Sequence, residues 1–349
     1  MREALFIKRN KEKWIKYETE PTTDPDEQSE RFIALLDDLS YSKTFYPNSN
    51  VTKWINGIAS ETYKSIYENK KQDFSRLKTF WTTELPLLFY KHRKLLYFTL
   101  FFFLLAILLG VLSSKTDQLF IRGILGNSYV SETENRIENG DPFGVYRSDN
   151  KFGMFMAIAT NNIRVAFMAY ISGLIFWMIF LSLSTLRILL FNGVMIGAFE
   201  YMFFEKDLGW QSVMVIWIHG TLEIWSIVIA GMAGLVLGFG YVFPGTYSRL
   251  TSFRIAAKES VKIIVALVPF FILAAFLESY VTYQMSDTFS SSGIGLPVWL
   301  SILILAVSVS FILFYFFYLP NRVFKKFKVK ESDIEALVVI KEYNEEIPA

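Results

Sequence analysis

Residues 213–242 read VMVIWIHGTLEIWSIVIAGMAGLVLGFGYV, and how this stretch is read decides the fold. It is apolar and longer than the roughly 20 residues that cross a bilayer as a helix. Yet it carries His219 and Glu223, four residues apart and therefore on one helical face. Ionisable side chains in hydrocarbon are costly and turn toward a protein interior or a watery cavity. The stretch is a transmembrane helix with protein around it. Gly220, Gly231 and Gly234 recur along it as positions where neighbouring helices can pack closely. Pro244-Gly245 ends it.

Five more apolar runs surround it in sequence. The first, 95–112, follows the basic cluster Lys91-His92-Arg93-Lys94. The second is expected at 165–186, closed by Arg187, and the third at 188–204, a connection so tight that it implies close-packed helices or a re-entrant turn. The fifth is 263–283 and the sixth 296–319. His92 reads as a surface residue of the basic flank. The links rich in Lys and Arg (91–94, 249–262 and 322–330) all fall on one side of this six-span order. The positive-inside rule makes that side cytoplasmic, with both termini there. The expected architecture is an all-α polytopic membrane bundle.

Three regions follow. Residues 1–94 form a cytoplasmic or interfacial helical region. Residues 95–319 hold the six spans, with a long external loop at about 113–160. Residues 320–349 are a tail, basic and then acidic. In the first region Asp24-Pro25-Asp26-Glu27 is a good helix start, with a capping Asp, Pro in the first turn and acidic residues near the positive end of the dipole. Phe80, Trp81, Leu85, Leu87, Leu88 and Phe89, interrupted by Pro86, suggest an interfacial segment. No cleavable signal precedes the first span, so that span is expected to direct insertion.

Composition agrees with a membrane protein. Of 349 residues, 52% are hydrophobic and only 19% charged, against about 25% charged in soluble domains. A net charge of +2 without a concentrated basic face gives no support for nucleic-acid binding. With no cysteine, disulfides, thiol nucleophiles and thiolate metal sites are excluded.

Helix rise brings several polar side chains to one depth. His219 and Glu223 lie in the outer half of the fourth span, Glu278 in the outer half of the fifth, and Glu200 toward the external end of the third. Asn161 and Asn162 stand at the external entrance of the second. Such a cluster serves equally as a buried hydrogen-bond network that fixes helix register or as an outward-facing site. A metal site is left open: one imidazole and one carboxylate are offered, without a His-Glu-x-x-His pattern. No Gly-x-Ser-x-Gly elbow is present, no cofactor is called for, and no residue is assigned as catalytic.

Several of these residues together resemble the stage II sporulation protein M family. They are Asp37-Asp38-Leu39 with Tyr41–Ser49, Asn161-Asn162, Asn192-Gly193 and His219-Gly220-x-x-Glu223-Ile224. The glycine-rich run to Pro244-Gly245, and Ala274-Ala275 with Glu278 just after, complete the resemblance. The resemblance implies a polytopic bacterial inner-membrane protein. The family's namesake joins two other membrane-associated proteins in a complex that remodels peptidoglycan during engulfment. It implies a non-enzymatic protein that scaffolds or regulates a cell-envelope complex, with the bilayer and an envelope protein as partners and homo-oligomers left open. The alternatives are a transporter or channel-like protein with a solute or lipid in the polar cluster, and an intramembrane hydrolase using His219 and Glu223.

Overall fold

The computed structural model describes residues 2–22, 24–68, 74–147, 150–175, 181–291 and 293–327. Among them every regular element is helical, and the chain divides into two compact units, Met1–Phe80 and Trp81–Ile334.

The first unit contains α1 (Glu3–Thr19), α2 (Pro25–Phe45), α3 (Asn50–Glu68) and α4 (Phe74–Thr79). Asp24 caps α2 as its sequence predicts, accepting from the Asp26 amide at 3.1 Å with Pro25 in the first turn. Phe6, Trp14, Leu35, Leu39, Ile55 and Ile58 form the core between α1, α2 and α3. Trp14 meets Trp54 edge-on at 5.7 Å, and its indole N–H donates to Asp38 at 2.7 Å. A buried indole thus keeps its single donor satisfied.

In the second unit a π-helical turn (Phe80–Glu84) leads into α5 (Leu85–Lys91). Pro86 fits within the first turn of α5, where no amide donor is needed. Leu85, Leu87, Leu88 and Phe89 are buried, and Phe89 meets Phe316 at 4.8 Å. The segment expected to lie at the interface is therefore packed against the last span.

Among the described residues six helical segments are long and apolar enough to cross a membrane. They are α6 (Arg93–Thr116), α9 (Lys151–Ile175), α10 (Leu181–Glu205), α11 (Gly209–Val242), α12 (Arg249–Phe276) continued to Thr288, and α14 (Val298–Ile312) continued to Lys326. The continuation of α12 passes through a π-helical turn (Leu277–Thr282) into α13 (Tyr283–Thr288). A similar turn (Leu313–Tyr318) joins α14 to α15 (Leu319–Phe327). In α11, 83% of the most apolar window is buried, against 28–44% in the other spans. The helix with the ionisable pair is the axis of the bundle.

Small residues set the packing. A Cβ on Gly197 would lie 2.2 Å from the Ile107 carbonyl oxygen, and one on Gly110 2.4 Å from that of Val194, so α6 and α10 run backbone to backbone. Gly193 faces Ala106 across the same seam. On α11, Gly231 abuts Leu189, and Gly234 abuts Thr185 and the Ala169 carbonyl. Of these, Gly231 and Gly234 are glycines the sequence singles out for close helix packing, whereas Gly110 and Gly197 are not. Gly245 ends the fourth span with φ +61°, a conformation glycine adopts at little cost.

The second span differs from its expected limits: α9 begins at Lys151, well before Val165. Asn161 and Asn162, expected at the entrance of this span, lie inside the helix, as does the nearby Arg164. The expected boundary at Arg187 falls within α10, and residues 176–180 lie outside the described residues. Most of the acidic tail, with Lys328 and Lys330, also lies outside them.

Between α6 and α9 the chain folds back on the bundle as a cap. It comprises α7 (Gln118–Leu125), α8 (Asn127–Glu138) and a 3-10 turn (Gly144–Tyr146). Ile121, Val130 and Phe143 from the cap share one core with Met202, Phe203, Val215, Ile218 and Met285 from the spans. Arg147 clamps the edge, donating to Asp141 and Asp287 at 2.7 Å each, and the Ser291 amide donates to the Gly140 carbonyl at 2.9 Å. The opposite end of the bundle carries Arg93, Lys94, Arg249, Arg254, Lys325 and Lys326, and is called the basic end below.

Candidate functional site

The site lies under the cap, on the face of α11 that carries His219 and Glu223. Counting rise along each helix, His219 and Asn162 both sit roughly 15 Å from the cap-end termini of α11 and α9, and Glu223 roughly 6 Å deeper. The depths are greater than the sequence suggests, because α11 and α9 both start earlier than their apolar runs.

The third polar element comes from the π-helical turn. It carries Glu278 and Thr282, and π-turns inside α-helices recur at functional sites. Thr282 Oγ1 lies 2.9 Å from His219 Nδ1, while Glu278 Oε2 lies 3.9 Å from His219 Nε2. Donor atoms of His219, Glu223 and Glu278 all fall within 4.8 Å of one another. Asn162 is buried on α9 and lies against the Glu223 carboxyl. From the cap, the Tyr146 ring stands over the imidazole at 5.7 Å between centroids. Burial first, then the Glu278 carboxyl, holds the Tyr146 phenol well above its ordinary range, so it stays protonated at physiological pH.

The structure thus unites four of the predicted residues: His219, Glu223, Glu278 and Asn162. Asn161 is exposed, one helical step round from Asn162. Glu200 occupies a separate station, accepting from Ser212 at 2.8 Å and Trp217 at 2.7 Å. Asn192 donates to the Ile188 carbonyl of its own helix at 2.8 Å. Its neighbourhood opens into a cavity of about 370 Å³ bounded by α7, α8, α10 and α11. Ile124, Tyr129, Met195 and Phe199 form apolar walls, and His219, Gly220 and Glu223 reach it from α11. Gly220 was expected to pack a helix; a Cβ there would meet nothing closer than 3.8 Å. It borders the cavity instead.

Sequence reasoning missed three residues, two of them in this site. Thr282 follows Glu278 by one turn, a spacing that could have found it. Tyr146 lies in the loop and gave no signal. The third is Glu259, buried near the basic end, which accepts from Lys91 at 2.7 Å and lies 2.8 Å from His92 Nε2. Lys262 also reaches Glu84 at 3.3 Å. These contacts fasten α5 to α12. His92 is therefore tied into the bundle rather than lying on its surface.

Chemically, the cluster offers an imidazole, two carboxylates and an amide in a mostly apolar setting, with one side open to a cavity. It can hold a proton, a cation or the polar end of a small molecule. Thr282 is fully buried behind the imidazole and is not placed as a nucleophile.

Residues 4–68 match the model of a Domain of unknown function (DUF8413). The Asp37–Ser49 motif thus lies in a segment with a family model of its own, not in the sporulation-type region. Comparison with curated proteins and with solved structures gives no match. Residues 99–283, a little over half of the chain, match the model for Stage II sporulation protein M, and they contain the cap, all or most of the first five spans and all four residues of the cluster: this multi-pass membrane protein belongs to the stage II sporulation protein M family.

Proposed function

We propose that this protein sits in a bacterial cytoplasmic membrane with both termini inside, and that it scaffolds or regulates a cell-envelope complex without catalysing a reaction. The cap carries this reading. A loop whose only task is to join two spans would not need a core of its own, yet α7, α8 and Phe143 are packed onto the bundle and clamped by Arg147. The outer face of α8 is polar, with Ser131, Glu132, Asn135 and Glu138 exposed. That is a firm, hydrated surface for a partner's external domain. The orientation is supported by the basic residues Arg93, Lys94, Arg187, Arg249, Arg254, Lys325 and Lys326 at the opposite end.

The test is charge reversal at Glu132 and Glu138 together. The double variant should keep the wild-type melting temperature in detergent and fail to restore the envelope phenotype of a deletion strain. Full restoration would remove the cap as the docking surface. A second reading, binding of a small solute or lipid, is favoured by the cavity beside His219 and Glu223. In that case filling the cavity with Gly220→Leu would abolish function while the α8 variant retained it.

A further inference from the structure

We propose that His219, Glu223 and Glu278 form an intramembrane site for a divalent first-row transition metal, with His219 Nε2 and one oxygen from each carboxylate as donors. The inference goes beyond the docking role and does not rest on it.

The spacing is the first argument. His219 Nε2 and Glu278 Oε2 stand 3.9 Å apart, too far for a hydrogen bond. With metal–ligand bonds of about 2.1 Å at a tetrahedral angle, the two donors would be roughly 3.4 Å apart. An ion would need only a small inward movement of side chains already gathered within 4.8 Å.

The orientation is the second. Nδ1 is held by Thr282 Oγ1 at 2.9 Å, which leaves Nε2 on the carboxylate side, and in the tautomer with the proton on Nδ1 its lone pair is free for an ion. Metal-binding histidines have this arrangement: the other ring nitrogen is fixed by an outer partner. The π-helical turn supplies both that partner and one of the proposed ligands.

The third observation concerns a neighbour of one ligand. The Asn162 side chain is buried, at 6% exposure, and lies against Glu223. Among the described residues its Nδ2 nonetheless has no partner at full hydrogen-bond geometry, its contact with Glu223 included. Buried polar groups are rarely left so. A metal-bound water or anion beside Glu223 would give this donor an acceptor.

Charge is the fourth. Among the described residues no Lys or Arg pairs with Glu223 or Glu278. Two carboxylates in an apolar interior require protons or a cation, and a divalent ion would neutralise both. One imidazole with two carboxylates suits Zn²⁺, Mn²⁺, Fe²⁺ or Co²⁺ better than the all-oxygen shells of Mg²⁺ and Ca²⁺. Gly220 leaves the cavity side open, so the ion would keep positions for water or a ligand.

The experiment uses the full-length protein in detergent, with any affinity tag removed, stripped with EDTA and titrated with Co²⁺, Zn²⁺ and Mn²⁺. We expect about one ion per chain by elemental analysis, and visible d–d bands with Co²⁺. His219→Ala and Glu278→Gln should abolish the bands, Asn161→Ala should leave them unchanged, and Thr282→Val should weaken affinity by about 10- to 100-fold. A folded wild-type protein that takes up none of the three ions would overturn the proposal and leave the carboxylates neutralised by protons. Uptake unchanged in both ligand variants would overturn it equally. If His219→Ala does not fold, the wild-type Co²⁺ spectrum and the Thr282→Val affinity decide. A metal-free result leaves the α8 docking test untouched, and failed docking leaves the titration untouched.

Discussion

Trp217 on α11 donates its indole N–H to Glu200 on α10 at 2.7 Å, and Ser212 donates to the other carboxylate oxygen at 2.8 Å. One acidic side chain thus joins the central helix to its neighbour just below the cap. Hydrogen bonds to a charged group contribute about 1.5–3 kcal/mol, and a buried donor left alone costs about 1–3 kcal/mol. Glu200→Leu should therefore lower the detergent melting temperature markedly, and Glu200→Gln much less. Trp217→Phe, which removes one donor and leaves Ser212 bonded, should fall between them. Equal melting temperatures for Gln and Leu would show that the bonds do not support the helix pair.

Within the cluster, His219, Glu223 and Glu278 should behave as a unit. Glu223→Gln and Glu278→Gln should each be tolerated better than the corresponding change to Leu, because Gln keeps a polar group of similar shape. Removing one partner should cost less once another is gone, with a coupling of about 0.5–3 kcal/mol. Melting temperatures of His219→Ala, Glu278→Gln and the double variant measure it. Additive losses would mean that the 3.9 Å separation of His219 and Glu278 carries no energetic contact.

Two glycines should answer substitution in opposite ways. Gly197→Ala places a methyl group 2.2 Å from the Ile107 carbonyl oxygen, so α6 and α10 must separate, at about 1–3 kcal/mol. Gly220→Ala would come no closer than 3.8 Å to its neighbours, an ordinary contact with Ile224, and alanine gains roughly 0.5–1 kcal/mol over glycine within a helix. The first should melt lower than wild type and the second no lower. A stable Gly197→Ala protein would show that this seam is loose.

The chain has no cysteine, so single-cysteine variants report membrane sidedness without background. Ser131 on α8 and Thr246 in the link before α12 are both exposed. An impermeant thiol reagent applied to intact cells should label Ser131→Cys, and Thr246→Cys only after permeabilisation. Thr246 is preferable to Ser248, whose hydroxyl caps α12 by accepting from the Thr251 amide. External labelling of Thr246→Cys would reverse the proposed orientation.

The centre of the fold was legible because its signal is local. An apolar run with one imidazole and one carboxylate on a single face must be surrounded by protein, and α11 is the most buried span. The start of α9 was not legible, because Asn161, Asn162 and Arg164 read as a boundary. They differ in surroundings, not in sequence: Asn162 is buried beside Glu223, whereas Asn161 and Arg164 are exposed. Polarity can mark a helix end or an interior site, and only tertiary contacts separate the two. His92 was misjudged for a related reason, since its partner Glu259 lies 167 residues away. Tyr146 reaches the site through the cap fold, and no spacing within the sequence encodes that contact.

The widened turn at Leu277–Thr282 has a consequence for the whole of its helix. An inserted residue acts as a phase slip: beyond it, every side chain is rotated by about 100° relative to an uninterrupted α-helix. Phe271 and Ala274 before the slip face the bundle core, and Met285 after it is buried in the cap core. Two surfaces that a straight helix would hold out of step are brought into register by one residue. Deleting a single residue from the turn, such as Tyr280, would cancel the slip and swing Met285 away from Phe143 and Ile121. The cap would then lose its anchor although every residue that builds the cap was still present.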